Sequence, residues 1–327
     1  MIRKLLTAPI ALVAVFIGAG LGEAGYAHHP EEPRLELVRK FDPAKSEFPK
    51  GIAFDRRGNT YIGMQYLGEV WRITPNGDEE VFVKIPFSGP VGTGMVSSLG
   101  IIEERHGGMT LYATFVDVHA SSATGVYRID EDGTITRILG TETLFGNGIA
   151  IDRRGNVYFS DSVGGAIWRV RHGEPVAELW IHDALLEGDG RLGFGVPLGV
   201  GGITVDGSSL LVTVEEKSRL VRIPIRRDGS AGQPSVEYEH PSMCIPEGVA
   251  VVGRGRTYFS CWFESSLNVL DRQGQVTQLA GTADGLLGPV TLAVGPGRHG
   301  RYLYVVNQSG FIFPDPQPAL YRMALPR

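Results

Sequence analysis

The chain has 327 residues, 43% hydrophobic and 20% charged, with 36 acidic side chains against 31 Lys and Arg and a formal net charge of -5. That mild acidity argues against nucleic acid or an anionic membrane surface as partner. Roughly 300 residues can bury about three quarters of their unfolded surface, so neither a metal nor a disulfide is needed simply to fold.

In chain order, Arg3 and Lys4 precede an apolar run from Leu5 to Leu21, with Gly25 and Ala27 at the places a signal peptidase prefers. Residues 1–27 read as a signal peptide cleaved near Ala27, the run being short for a membrane span. The mature protein is expected in the periplasm or outside the cell, with no stable membrane span. Residues 28–34 read as a flexible tail and 35–327 as one domain.

That domain is repetitive. GIAFDRRGNTY (51–61) returns as GIAIDRRGNVY (148–158). A second signature reveals the units between and after them: VWRI (70–73), VYRI (126–129), IWRV (167–170), LVRI (220–223), LNVL (267–270) and LYRM (320–323). Each is short, β-branched or aromatic, and bounded by turn residues, as strands are. Ahead of each lie two more strands, the first entered through small residues: PKGIAF, SLGIIE, GNGIAI, VGGITV, PEGVAV and PVTLAV. Five units add a fourth strand after a turn such as Asn76-Gly77 or Asp132-Gly133, both strong hairpin formers.

The sixth unit runs out of chain, while LELVRKF (35–41) is a strand without a unit. Pairing it with ALYRM completes the last unit and closes a ring without exposed sheet edges. The expectation is an all-β, six-bladed β-propeller, its 45 Gly and 20 Pro placed mainly at turns.

In such a ring the residues just before each inner strand meet at one mouth of the axial channel. They are Lys50, Leu99, Asn147, Gly201, Glu247 and Val290, joined by Met64, Asp161, Glu215, Cys261 and Asn307 from the ends of the second strands. Asn147, Asp161, Glu247 and Asn307 offer the hard oxygen donors that Ca²⁺ takes; the competing reading is that they hydrogen-bond local backbone.

The serial pattern GNGIAIDRRGNVYFSDSVGGAIWRV, HDALLEG, IPIRRDGSAGQP and PEGVAVVGRGRTYFSC resembles the SMP-30/gluconolactonase-like (LRE-like) propellers, bacterial periplasmic members included. A looser similarity extends to strictosidine-synthase-like and paraoxonase propellers. The resemblance covers essentially the whole mature chain. It implies a divalent cation, usually Ca²⁺, held at the axis by a Glu from blade 1, an Asn from blade 4 and an Asp from blade 5, with a further Asn from blade 3. The cation would polarise a lactone or ester carbonyl. Asn147 matches and Glu247 nearly matches, but Lys50 and Gly201 stand where Glu and Asn are implied. Either the metal is gone, or it has moved toward Asn147, Asp161 and Glu247, or Lys50 pairs with Glu247 in its place.

No GxSxG, HExxH, CxxC or P-loop pattern occurs. His119, in a long loop at the mouth, is a candidate acid or base, its alternative being an exposed loop histidine. Lys50 and Glu247 complete the catalytic candidates. Residues 86–98 and 182–199 read as long loops covering a pocket walled by Met64, Phe194, Trp262 and Phe311. That suits a small organic ligand. Cys244 and Cys261 are candidates for a disulfide. The functional expectation is a metal-dependent hydrolase of a lactone or related ester, the alternative a non-catalytic propeller that binds a small molecule or a protein.

Overall fold

The computed structural model describes residues 34–326 except 105, 106, 120, 121, 143, 144, 241–243, 254, 298, 299 and 311. The expected signal segment and all but the last residue of the tail lie outside the described residues. Among the latter, no helix is long and apolar enough to cross a membrane.

Six four-stranded antiparallel sheets follow one another around an axis. Blade 1 holds β2 (Pro49–Phe54), β3 (Thr60–Met64), β4 (Glu69–Ile73) and β5 (Glu79–Lys84). Blade 2 holds β6 (Gly94–Glu103), β7 (Met109–Asp117), β8 (Gly125–Asp130) and β9 (Ile135–Arg137), and blade 3 β10 (Gly146–Ile151), β11 (Val157–Asp161), β12 (Ala166–Val170) and β13 (Ala177–His182). Blade 4 is β14 (Val200–Asp206), β15 (Ser209–Val214), β16 (Arg219–Pro224) and β17 (Ser235–Glu239). Blade 5 is β18 (Pro246–Val252), β19 (Arg256–Cys261), β20 (Ser266–Leu270) and β21 (Val276–Ala280). Blade 6 combines β22 (Pro289–Gly297), β23 (Gly300–Asn307) and β24 (Ala319–Ala324) with β1 (Glu36–Lys40) from the other end of the chain. Lys40 pairs with Ala319 and Glu36 with Arg322, so the ring closes as expected.

Successive side chains of a strand point to opposite faces of its sheet, and each face here packs on the neighbouring blade. Ile149 joins the core between blades 2 and 3, whereas Ala150 joins the one between blades 3 and 4. The remaining interfaces are filled alike, giving one apolar cluster for each pair of adjacent blades.

The twin stretches acquire a local reason. Asp55 accepts hydrogen bonds from Asn59 N (2.8 Å), Asn59 Nδ2 (2.7 Å) and Tyr61 Oη (3.3 Å). Asp152 accepts the same three from Asn156 and Tyr158. Gly58 and Gly155, at φ 87° and 81°, let the chain turn inside this cap.

Blade 2 departs from expectation at one end. Residues 94–98, read as loop, are strand: β6 and β7 are longer than the other inner pairs, and Gly94 pairs with Asp117. The axial register therefore shifts. Ser98 opposes Thr114 just as Gly51 opposes Gly63, so Ser97 rather than Leu99 takes the axial place in blade 2.

Hydroxyls on the second strands tie consecutive blades. Ser160 Oγ donates to Gly201 O (2.6 Å), Thr213 Oγ1 to Glu247 O (2.8 Å) and Ser260 Oγ to Val290 O (2.7 Å). Ser260→Ala would leave the Val290 carbonyl and Gly248 N without this partner. Urea unfolding is expected to show a loss of roughly 1–3 kcal/mol; a change within a few tenths would mean the tie is dispensable.

Candidate functional site

Every inner strand carries an irregularity at the axial residue. The register shifts between Pro49 and Gly51, Val96 and Ser98, Gly146 and Ile149, Val200 and Ile203, Pro246 and Val249, and Pro289 and Leu292. Bulges of this kind re-aim a side chain, and here they turn Lys50, Asn147 and Glu247 to a common point. Lys50 Nζ lies 3.1 Å from Glu247 Oε1, a pair reaching from blade 1 to blade 5. Asn147 Nδ2 donates to Glu215 Oε1 at 3.0 Å and reaches Glu247 Oε1 at 3.5 Å. Glu215, Glu247 and Asn147 are 2%, 6% and 9% exposed. Below them the inner strands enclose a channel of about 360 Å³, lined by Ile52, Leu99, Asn147, Ile203, Glu247 and Leu292 among others.

Glu215 is the member whose role the sequence left unassigned. It lies one residue past β15, and its carboxyl occupies space that a side chain at residue 201 would claim: a Cβ there would collide with Glu215 Oε1. Burial pushes its carboxyl well above the usual range, and the charge of Glu247 adds to this. Lys50 pulls the other way, Glu216 again raises it, and the Asn147 hydrogen bond lowers it.

The other sequence candidates are placed elsewhere. Asp161 accepts from the backbone N–H groups of Phe145 (3.0 Å) and Gly164 (3.1 Å), and its carboxyl is raised by burial. Asn307 accepts from Leu287 N (2.7 Å) and donates to Gln317 O (2.9 Å), so both ends of its amide serve backbone. Met64 is fully buried between blades 6 and 1. His119 is exposed, its backbone N–H bonded to Asp117 Oδ1 (3.0 Å). Phe311 lies outside the described residues. Cys244 and Cys261 are joined, with Cα atoms 5.7 Å apart. Glu264 stands beside that disulfide, and these three are the His, Cys, Asp and Glu group compact enough for a metal among the described residues; its sulfurs are already spent on each other.

Residues 183–199, expected to cover the pocket, are anchored to the end of β15. Glu216, fully buried, accepts from Asp189 N (2.7 Å), Gly190 N (2.5 Å) and Leu192 N (3.1 Å). Lys217 and Arg191 hold Asp189. Farther along, Phe194 meets Trp262 and Phe263, ring centroids 6.2 and 6.3 Å away.

A resident Ca²⁺ needs six to eight oxygens. The axis offers Glu215, Glu247 and Asn147, and an ammonium already stands against one of the carboxylates. Its charge would repel a divalent ion placed beside it. With Lys50 in place, the residues present do not fit a resident Ca²⁺.

No protein-family model matches this chain, and no curated protein matches it. Solved structures do. A luciferin-regenerating enzyme aligns at TM-score 0.63 and 13% identity, over 90% of this chain and 95% of that one. A gluconolactonase from Xanthomonas campestris aligns at 0.61 and 14%, over 90% and 95%. Regucalcin from Agrobacterium tumefaciens, described as a calcium-binding protein, aligns at 0.61 and 15%, over 88% and 93%. The shared feature is the six-bladed propeller fold. It is the fold that the resemblance to SMP-30/gluconolactonase-like proteins implied.

Because ionisation of Glu215 is disfavoured in the folded chain, it favours unfolding as pH rises above the ordinary carboxylate range. Glu215→Gln, neutral at every pH, is expected to gain on the native protein in melting temperature between pH 4 and pH 8. A gap that stays constant or reverses across that range would show that Glu215 ionises freely.

Proposed function

We propose that this chain hydrolyses a lactone or a related small ester at the axial mouth. The observation that carries the reading is the pair of buried carboxyls, Glu215 and Glu247, reached by one amide, Asn147, and set in unlike surroundings. Two carboxyls whose environments separate their protonation give one site both a proton acceptor and a proton donor. Glu247 takes a proton from water as the water oxygen bonds to the carbonyl carbon. Glu215, favoured in its protonated form by burial, gives a proton to the alcohol oxygen as the acyl C–O bond breaks. The products are a carboxylic acid and an alcohol, kept in one molecule when the substrate is a lactone.

Names carried by proteins of the same fold, gluconolactonase above all, support this substrate class. The setting we assign is the periplasm or the cell exterior, which suits both residues 1–27 and a Cys244–Cys261 bond. The cover formed by residues 183–199, with Phe194 and Trp262, supplies apolar surface for the rest of a small molecule. One observation favours a non-catalytic binder instead: Lys50 and Glu247 already satisfy each other.

A panel of lactones and aryl esters, followed by acid release, separates the two. Turnover that Glu247→Gln lowers about a hundredfold or more, with the fold intact by circular dichroism, is expected for the hydrolase. Saturable ligand binding without turnover, unchanged in Glu247→Gln, would overturn it in favour of the binder.

A further inference from the structure

We propose that the Lys50 ammonium does at this axis the work of a bound metal ion, neutralising the buried Glu247 carboxylate and facing the substrate carbonyl as the electrophile. The second half rests on the hydrolase reading; the first stands whether or not the chain turns anything over.

The argument begins with position. Lys50 lies between Pro49 and Gly51, where the register of β2 shifts, and its side chain is only 13% exposed. It therefore does not reach out to solvent as a surface lysine would. Its partner, Glu247, belongs to blade 5, so the contact crosses the mouth of the channel, where a central cation would sit.

The second step is charge. Glu215 and Glu247 approach the same amide nitrogen, and Glu216 follows Glu215 directly, so three acidic side chains crowd a nearly water-free region. Glu216 is answered by three backbone N–H groups of the cover. Glu247, which shares the Asn147 amide with Glu215, is answered by Lys50 Nζ at 3.1 Å. Without a cation, burying the Glu247 carboxylate would be severely unfavourable.

The third step is Gly201. A side chain there would force the Glu215 carboxyl to shift from its present place beside Asn147. Gly201, Glu215, Glu247 and Lys50 therefore act as one unit: the first leaves room for the second, which shares the Asn147 amide with the third, and Lys50 balances the charge of the third. What looks in the sequence like two separate losses of metal ligands is one coordinated rearrangement.

The ammonium also has capacity to spare. It carries three N–H donors and no acceptor, and one donor is given to Glu247. Another can meet a carbonyl oxygen as negative charge grows on it, a role in which preorganised donors are most effective.

The test reads metal binding rather than turnover, so failure of the hydrolase reading leaves it intact. Ca²⁺ is titrated calorimetrically into the native protein, and thermal unfolding of the native protein, Lys50→Gln and Lys50→Gln/Glu247→Gln is followed with CaCl₂ against NaCl of equal ionic strength. The native protein is expected to show no saturable binding and no calcium-specific shift. Lys50→Gln should melt lower and recover by about 5 °C at a hundred times its Ca²⁺ dissociation constant, and the double variant should not recover. Saturable Ca²⁺ binding by the native protein, lost in Glu247→Gln, would overturn the proposal, as would a folded Lys50→Gln indifferent to Ca²⁺. Should Lys50→Gln fail to fold, the native titration alone decides: binding overturns the proposal, and its absence supports it.

Discussion

At Gly202 and Gly248 the inner strand of one blade runs so close to the next that a Cβ would meet the carbonyl oxygens of Glu247 and Val290. The carbonyls of Glu247 and Val290 also accept from Thr213 and Ser260, and Ser160 makes the corresponding bond to the Gly201 carbonyl. Close approach and hydroxyl tie are two sides of one constraint, because the hydroxyl can bridge the blades only if the backbones are near. The constraint fixes the residue just before each of these glycines. With the glycine committed to the neighbouring backbone and the register broken beside it, Asn147, Gly201 and Glu247 have the axis left to them.

This separation explains how the chemistry of the mouth can change while the ring does not. The apolar clusters between blades use residues two or more positions farther along the inner strands, such as Ile149, Ile203 and Val249. The axial Val290 does belong to the cluster between blades 6 and 1, but a polar axial side chain contributes little to any of them. Its cost is instead electrostatic, and must be met within the mouth itself. Lys50 with Glu247, and Asn147 with Glu215, are such local settlements.

The same logic accounts for what the sequence revealed. Ring closure, blade count and strand order were legible because they repeat: six spaced strands with shared turns leave few other arrangements. Lys50, Asn147 and Glu247 were legible as axial positions because each precedes a recurring glycine. Blade 2 misled by two residues, since the longer β6 and β7 carry the axial place to Ser97 while the sequence still offers a Leu-Gly-Ile look-alike. Asp161 and Asn307 look like ligands by residue type, yet both close a register opposite a strand's first residue and spend their oxygens on backbone N–H groups. Nothing local distinguishes such a carboxylate from one that points inward.

Glu215 was harder still, because the space it occupies is left by a residue fourteen positions earlier that has no side chain. In a strand pair, a glycine is usually read for its own backbone; at Gly201 it matters for the space it leaves to another side chain. Glu216, next in sequence, turns away to hold the cover through Asp189, Gly190 and Leu192. Two adjacent carboxylates thus serve opposite ends, one stabilised by backbone N–H groups and the other pressed toward its neutral form. The anchor of the 183–199 segment and the axial carboxyl stand on neighbouring residues of one chain segment.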